Sequence, residues 1–373
     1  MKKVLTISHY GNLKGMFDHY LDYLEKQPYE LSSLKHPFND YEERQPHKLI
    51  NTPGLSNDKN KFTVFLNNKE TKKIKRHDFG ILNLFFDFFI SIYFILNNKV
   101  DVFIGGNKFD TFTGIFAKFV LRKNIKKIIY FGSDFIPENR FDNFLLNYIY
   151  NIMEMICSKK SDLVTSSTKR AEEERIAIGL KKEKSILILN GIPLKSDLSL
   201  NKKLNKGKFI FVGHLSLEHG LYEMIEVMSP LINHLTIIGY GSELKRVINL
   251  CEEKDIPFNV FYKKSHDFCI DYMKKFNGFG LAPYLSYPSR LAYYGSPLKI
   301  FEYIACKVPL ITSDISEVSN EIKKQNLGIV YNKLDLLKIK KSIENFNSNN
   351  FNSAAENFTE KYNSDLFYSS IKI

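Results

Sequence analysis

Short apolar runs alternate with longer amphipathic stretches along most of the chain. In the first half the runs are KVLTIS, DVFIGG, KIIYFGS, DLVTSS and SILILN. Helical spacing fits between them, over about 14–26, 79–96, 110–121, 140–158 and 168–178. Strands apolar on both faces belong to parallel sheets covered by helices on both sides. After Asn190 the pattern pauses at GIPLKSDLSLNKKLNKGK, a linker by composition. It then restarts with KFIFVGHL, a helix over about 221–228, LTIIGYG, a helix over about 242–254, FNVFYKK and GFGLAPY. A short helix behind a Gly-Ser-Pro turn, VPLIT, another helix and GIVYN follow. After Leu334 the chain reads as helices separated by the Asn-rich ENFNSNNFNS. The pattern predicts an α/β protein of two doubly wound, Rossmann-like domains facing a cleft. The domains fall at 1–190 and 207–351, joined by a linker at 191–206. A C-terminal helix over about 352–373 is a candidate to pack back onto the first domain.

Two stretches depart from this alternation. Residues 36–76 are polar, rich in Pro and Asn, and end in a basic cluster of Lys69, Lys72, Lys73, Lys75 and Arg76. They read as a loop, either solvated or facing an acceptor or a membrane. Residues 79–96, FGILNLFFDFFISIYFIL, are nearly apolar and long enough to cross a bilayer. Asp87 stands in their middle, where an unpaired carboxylate is costly. The favoured reading is a helix packed on the sheet, with one face available to a membrane surface.

A length of 373 residues suits two domains, and 44% hydrophobic residues can supply a core. The net charge of +12 favours nucleotides, anionic lipid head groups or nucleic acid, or else reflects Lys-rich composition alone. The basic residues are spread out, without an aromatic-interleaved module, which argues against a nucleic-acid partner. Cys157, Cys251, Cys269 and Cys306 have no metal or redox spacing and fit a reducing cytoplasm. The apolar run in MKKVLTISHYGN is too short for a signal peptide and reads as the first strand.

Ligands of open α/β sheets bind at the carboxyl ends of strands, so those loops hold the candidate chemistry. His9, Gly11, Asn12 and Gly15 follow the first strand, and Ser133 and Asp134 follow KIIYFG. KFIFVG ends in Gly213 and leads to His214, His219 and Gly220. LTIIG leads to Tyr240, Gly241 and Ser242, and GLAPY leads to LSYPSRLAYYGSPLK. Glycine turns at helix starts let backbone N–H groups approach an anion. Their combination suggests a diphosphate-bearing ligand, although each alone is ordinary strand-to-helix geometry. GYGSEL lacks the third Gly and the acidic residue of a dinucleotide fingerprint. Arg175, in KRAEEER, reads as a solvated helix charge.

The order GKFIFVGHLSLEHGLYEMIEVM, LTIIGYGSEL, GLAPY and YGSPLKIFEYIACKVPLIT resembles the C-terminal half of a retaining glycosyltransferase of family 4, with the GT-B fold. Such enzymes serve bacterial surface-polysaccharide or glycoconjugate synthesis, including lipopolysaccharide and capsule. The likeness covers about 207–331 well and is looser around IIYFGSDFIPENRFDNFLLNYIY. It implies transfer of a hexose-type sugar from a nucleotide-diphosphate donor, bound mostly by the second domain, to a saccharide or lipid-linked acceptor on the first. It also implies retention of configuration, no cofactor and no metal, and no Asp-x-Asp motif stands in a suitable strand-end loop. The expected location is cytoplasmic, with possible peripheral contact at the inner face of the cell membrane.

Glu302 matches the family Glu that bonds the ribose hydroxyls. An earlier family Glu, which holds the transferred sugar, would fall at Tyr294. Gly295 and Ser296 keep the tight turn, and Pro297 removes one donor. The amides of Ser296, Leu298 and Lys299 remain to face a diphosphate. The family's Arg and Lys that neutralise the leaving group are replaced by His214 and His219. A histidine can do this only when protonated, and its unperturbed pKa is about 6.5. Lys299 and Arg290 are alternative cations. Asp134 stands near where the family turns a His or an acid toward the donor sugar, with a helix cap or a Lys partner as the alternative. Gly11 and Asn12 match the loop over the diphosphate. The catalytic candidates are thus Asp134, His214 and Lys299, and Gly213 and Gly241 join the donor-binding set. Two other functions stay open. A sugar-nucleotide 2-epimerase needs a carboxylate and His set that the sequence does not display. An inactive or binding-only homologue is favoured by Tyr294 and the missing Arg/Lys pair.

Overall fold

Along β1 (Lys3–Tyr10), Leu5 and Ile7 enter one core and Val4 enters another. A strand buried on both faces needs helices on both sides, and the first half of the chain supplies them. The computed structural model describes residues 1–10, 15–37, 47–52, 61–65, 80–135, 143–191, 203–285 and 291–373. These form two compact units, Met1–Ile188 with Phe367–Ile373, and Leu189–Leu366.

In the first unit β1 is followed by α1 (Met16–Leu24), β2 (Glu30–Pro37), β3 (His47–Thr52), β4 (Lys61–Phe65) and α2 (Gly80–Asn97). Then come β5 (Val102–Gly105), α3 (Lys108–Phe119), β6 (Lys127–Gly132), α4 (Phe144–Lys160), β7 (Leu163–Ser166), α5 (Lys169–Ala177) and β8 (Ser185–Leu187). The eight strands lie in the order β4-β3-β2-β1-β5-β6-β7-β8. All pairs are parallel except β2–β3 and β3–β4. Strands β2 to β4 are additions to the sequence pattern. In β2 the buried positions Leu31, Ser33, Leu34 and His36 mix polar and apolar residues, so no apolar run marks it. Strands β3 and β4 fall within the stretch expected to be a loop, and its basic cluster lies outside the described residues.

Helices α2, α3 and α4 cover one face of this sheet through Phe94, Ile95, Ile115 and Cys157, packed on Leu5, Ile7, Phe103 and Ile128. Helix α1 covers the other face with Phe17, Tyr20 and Leu21, where Tyr20 stacks on Phe131, Phe17 meets it edge-on and Tyr368 joins them. The Tyr368 hydroxyl donates to the Met16 carbonyl at 3.1 Å. No helix among the described residues is long and apolar enough to cross a membrane. Within α2, Asp87 is buried and paired, as described below.

The second unit repeats the scheme. It contains β9 (Lys208–His214), α6 (Leu221–Met228), β10 (His234–Tyr240), α7 (Leu244–Glu253), β11 (Phe258–Tyr262), α8 (His266–Lys275) and β12 (Phe279–Ala282). It continues with α9 (Leu291–Tyr294), α10 (Leu298–Ala305), β13 (Leu310–Ser313), α11 (Ser319–Lys324), β14 (Gly328–Tyr331), α12 (Leu336–Asn345) and α13 (Phe351–Lys361). The six-stranded parallel sheet has the order β11-β10-β9-β12-β13-β14. Helix α8 is absent from the sequence pattern. Its buried Cys269, Ile270 and Met273 make only a short stripe behind the cap of Ser265, which accepts from the Phe268 amide. The segment 352–373, expected as one helix, is two. Helix α13 packs on α10 through Phe301, Phe358 and Tyr362, and α14 (Ser364–Tyr368) starts anew after Asn363. Only Phe367–Ile373 belongs to the first unit.

Candidate functional site

The strand order of the second sheet reverses between β9 and β12, which is where open α/β sheets hold ligands. The two strands pair only at Phe209–Phe279 and Ile210–Gly280 before they part. The Tyr303 hydroxyl sits where they part. It accepts from the Val212 amide at 2.8 Å and donates to the Ile210 carbonyl at 3.2 Å. Gly280 makes room for it, because a Cβ there would stand 2.7 Å from the Tyr303 ring. Tyr303 therefore pins α10 at the switch point, and α10 also carries Lys299 and Glu302. Sequence reasoning missed Tyr303; its only signal is a large polar-tipped residue inside an apolar helix, facing a glycine in a strand.

The Lys299 ammonium is buried and has no hydrogen-bond partner among the described residues. It lies 4.1 Å from the centre of the Phe211 ring and 5.5 Å from that of Tyr284. Burial pulls its pKa down to about 7, although Glu302 works the other way. Two aromatic faces and one carboxylate one turn along the helix hold the cation without neutralising it. Gly213, with φ of +131°, leaves space beside the ammonium, and a Cβ there would approach Nζ to 3.2 Å.

Glu302 is buried, and its Oε1 lies 2.7 Å from Nε2 of His266, the first residue of α8. Ahead of α10, Gly295 is buried and Pro297 takes the extended N-cap conformation with no side-chain cap. The first amides of the helix, Leu298 and Lys299, are therefore left for other acceptors. The Ser296 carbonyl accepts from Nδ2 of Asn190. Tyr294 is buried, edge-on to Tyr293 at 4.9 Å, so a phenol rather than a carboxylate stands before the turn.

Two expectations change here. His219 is not a cation: burial, then Lys299 and His214, push its pKa down to about 2. It is a neutral imidazole bonded through Nδ1 to Ser216 Oγ at 2.8 Å, with its ring against Phe211, His214 and Tyr284. His214 is exposed and stands edge-on to Tyr240 at 5.3 Å. Gly241 has a packing reason, since it takes φ of +146° and a Cβ would meet the Leu215 carbonyl at 2.1 Å. The same contact brings the turn after β10 against that after β9, where the Leu215 amide donates to the Tyr240 carbonyl at 2.8 Å. Lys263 lies over the Tyr240 and Tyr262 rings at 5.8 and 5.3 Å. The carboxyl edge from β11 to β12 is thus lined with aromatic rings and two lysines. Arg290 lies outside the described residues.

In the first unit Asp134 is exposed, and its carbonyl accepts from Arg175 Nη2 at 3.0 Å. Arg175 corrects a second expectation. It is fully buried rather than solvated, and Nη1 also donates to the carbonyls of Gly132 and Thr165. Its Nε donates to Glu154 at 2.9 Å, and Lys108 reaches the same carboxylate at 2.7 Å. Burial alone would raise the Glu154 pKa, yet Arg175 and Lys108 hold it at about 2. A surface charge and this buried clamp look alike in sequence, because KRAEEER gives no sign of which residue turns inward.

Gly11 and Asn12 lie outside the described residues. Just before them, His9 bridges Asp110, at 3.1 Å, and Asp87, at 3.4 Å, and His36 lies 3.4 Å from the other Asp87 oxygen. Burial would lower the His9 pKa, but Asp110 and then Asp87 raise it to about 10. This cluster sits at the switch point between β1 and β5 of the first sheet. It gives the intrahelical Asp87 its partner.

Residues 195–364 match the family model described as Glycosyl transferases group 1. Most of the second unit is thus similar to glycosyltransferase group 1 domains, and the fold is GT-B. Among solved structures, sucrose-phosphate synthase from Thermosynechococcus elongatus is 14% identical with a TM-score of 0.68, covering 100% of this chain and 95% of that one. Anabaena Alr3699/HepE in complex with UDP is 12% identical with a TM-score of 0.67, covering 100% and 98%. WaaG, a glycosyltransferase involved in lipopolysaccharide biosynthesis, is 11% identical with a TM-score of 0.61, covering 99% and 98%. No curated protein sequence matches the chain.

Proposed function

We propose that the chain moves a hexose-type sugar from a nucleotide-diphosphate donor to a hydroxyl of a saccharide or lipid-linked acceptor. The observation that carries this is the buried Lys299 ammonium, unpaired among the described residues and one turn before Glu302 at a sheet switch point. A cation held without a partner is suited to an anion that arrives with the substrate. Lys299 and the first amides of α10 then stabilise charge developing on the leaving diphosphate. Glu302, oriented by His266, accepts hydrogen bonds from ribose hydroxyls. The aromatic edge supplied by Tyr240 and Tyr262 offers stacking faces to a base. His219 stays neutral and shapes the wall, and the exposed His214 is assigned to the phosphate side. Asp134 is assigned to the sugar side of the reaction.

The transfer is proposed to retain configuration, as the family resemblance implies, and to need neither metal nor cofactor, with Lys299 and the first amides of α10 available to a leaving diphosphate. Synthesis of a cell-surface polysaccharide, such as lipopolysaccharide or capsule, is the setting proposed, at the cytoplasmic face of the membrane. The likeness to WaaG supports that setting at the level of fold. A second reading, a binding-only homologue, draws on Tyr294 in place of a sugar-holding carboxylate.

Anabaena Alr3699/HepE binds UDP and UDP-glucose, which makes uridine nucleotides the first ligands to test. A melting-temperature screen across nucleoside diphosphates and their sugars is expected to show one matched base that stabilises the protein by mass action. No shift with any nucleotide would contradict the donor site.

A further inference from the structure

The helix layer α2–α3–α4 of the first unit turns an unusual surface outward. On α2, Phe85, Phe89, Tyr93 and Leu96 are exposed at 57, 65, 63 and 43%. Their spacing makes one stripe along about 16 Å of helix, at a rise of about 1.5 Å per residue. On α4, Phe144, Leu145, Tyr148 and Ile149 are exposed at 81, 61, 56 and 46%, with Phe144 stacked on Tyr148. Between them, α3 ends in exposed Phe119, followed by exposed Val120 and Leu121. Contacts join the three helices. Phe88 of α2 meets Phe116 of α3 at 5.4 Å, Lys123 donates to the Leu96 carbonyl at 2.7 Å, and Lys160 of α4 lies over the Phe119 ring at 5.7 Å. Most of the exposed large apolar side chains of the described residues fall on this one layer.

The charge on the layer decides what fits it. The three helices hold one acid each, Asp87, Asp110 and Glu154, and all three are buried in pairs with His9, His36, Lys108 or Arg175. The exposed charges on the helices are the cations Lys159 and Lys160, with exposed Arg122 just after α3, and the part-exposed Asp162 just after α4 is paired with Lys118 at 3.4 Å. An apolar, aromatic face whose exposed helix charges, among the described residues, are cations is complementary to an anionic bilayer, where rings sit at the head-group level and lysines meet phosphate. A protein partner of ordinary mixed charge would gain nothing from the burial of all three helix carboxylates.

We infer that the outer face of α2, α3 and α4 docks the protein peripherally on an anionic lipid bilayer, with the stripes of α2 and α4 entering the interface. The inference builds on the membrane contact of the proposed function and not on its donor chemistry. Flotation of the full chain with vesicles, without nucleotide, tests it. The protein is expected to float with equal parts phosphatidylcholine and phosphatidylglycerol and to remain behind with phosphatidylcholine alone. Phe89→Gln with Tyr148→Gln is expected to lower vesicle partitioning by about tenfold or more. Lys159→Gln with Lys160→Gln should weaken it and reduce its salt dependence, and Leu337→Gln, exposed in the other unit, should leave it unchanged. A wild type that does not float, or an aromatic variant that floats equally well, overturns the proposal. So does self-association in sedimentation that the aromatic variant abolishes without any wild-type flotation, which would assign the face to a second copy of the chain. The same variants should keep their nucleotide-induced melting shift. Loss of flotation alone and loss of the nucleotide shift alone therefore separate failure of docking from failure of the donor site.

Discussion

The Lys299 ammonium rests against the bare Cα of Gly213, where a Cβ would come within 3.2 Å of it. A glycine in a left-handed backbone conformation at the end of β9 and a lysine at the start of α10 thus make one feature, an open space beside a buried cation. Its energetics run in opposite directions with and without an anion.

Lys299→Met should raise the melting temperature of the empty protein, because it removes a buried amine whose charged form is desolvated. The same change should weaken nucleoside diphosphate binding by about tenfold to a hundredfold, the worth of a charged hydrogen bond. In the wild type the lysine pKa is about 7. Bound diphosphate should raise it, so calorimetry at about pH 8 should detect proton uptake on binding, and affinity should fall as pH rises above about 7. Binding independent of pH with no proton uptake would remove Lys299 from the site.

The Glu302–His266 contact of 2.7 Å predicts discrimination at the ribose. Wild type should prefer a ribonucleoside diphosphate over its 2′,3′-dideoxy analogue by about tenfold, the scale of a charged hydrogen bond. Glu302→Gln should erase most of that preference, and His266→Ala should reduce it without abolishing diphosphate binding. Equal preference in all three proteins, read by competition binding, would show that the carboxylate faces something else.

Arg175→Ala is expected to cost about 3–5 kcal/mol in denaturant unfolding, because it strips one partner from a buried carboxylate and three backbone carbonyls. A solvated charge would cost within about 0.5 kcal/mol, so the two readings of KRAEEER are far apart.

His9 sets a pH window. Its folded pKa is raised to about 10, so its contribution to stability is complete below about pH 6.5 and is lost as pH rises toward 10. Lys299 works oppositely: its lowered pKa makes stability rise with pH between about 7 and 10.4. The difference between wild type and His9→Gln isolates the first effect. That difference in urea midpoint should shrink steadily from about pH 7 to pH 10, and a constant difference would contradict a charged His9.

Apolar runs made the parallel strands legible, since β10 and β12 are buried along nearly their whole length and β9 through its centre. The same criterion passed over β2, whose buried Ser33 and His36 interrupt the apolar run, His36 because it faces Asp87. The Gly-Ser-Pro turn and Glu302 were legible as a motif. Tyr303 was not, because its role depends on where β9 and β12 part, a relation between distant segments. That His219 is neutral was not legible, because its burial and then the charge of Lys299, eighty residues away, arise from contacts between distant segments. Arg175 and Glu154 likewise show their burial only once α3, α4, α5, β6 and β7 have come together around them.

Release of nucleoside diphosphate from a panel of nucleotide sugars, by wild type and by Glu302→Ala, is the most direct test of the donor site. Wild type is expected to release it from one matched donor, and Glu302→Ala to do so at least about tenfold more slowly, in line with the loss of a charged hydrogen bond. No release from any donor, with the variant indistinguishable from wild type in nucleotide binding, would contradict glycosyl transfer at this site.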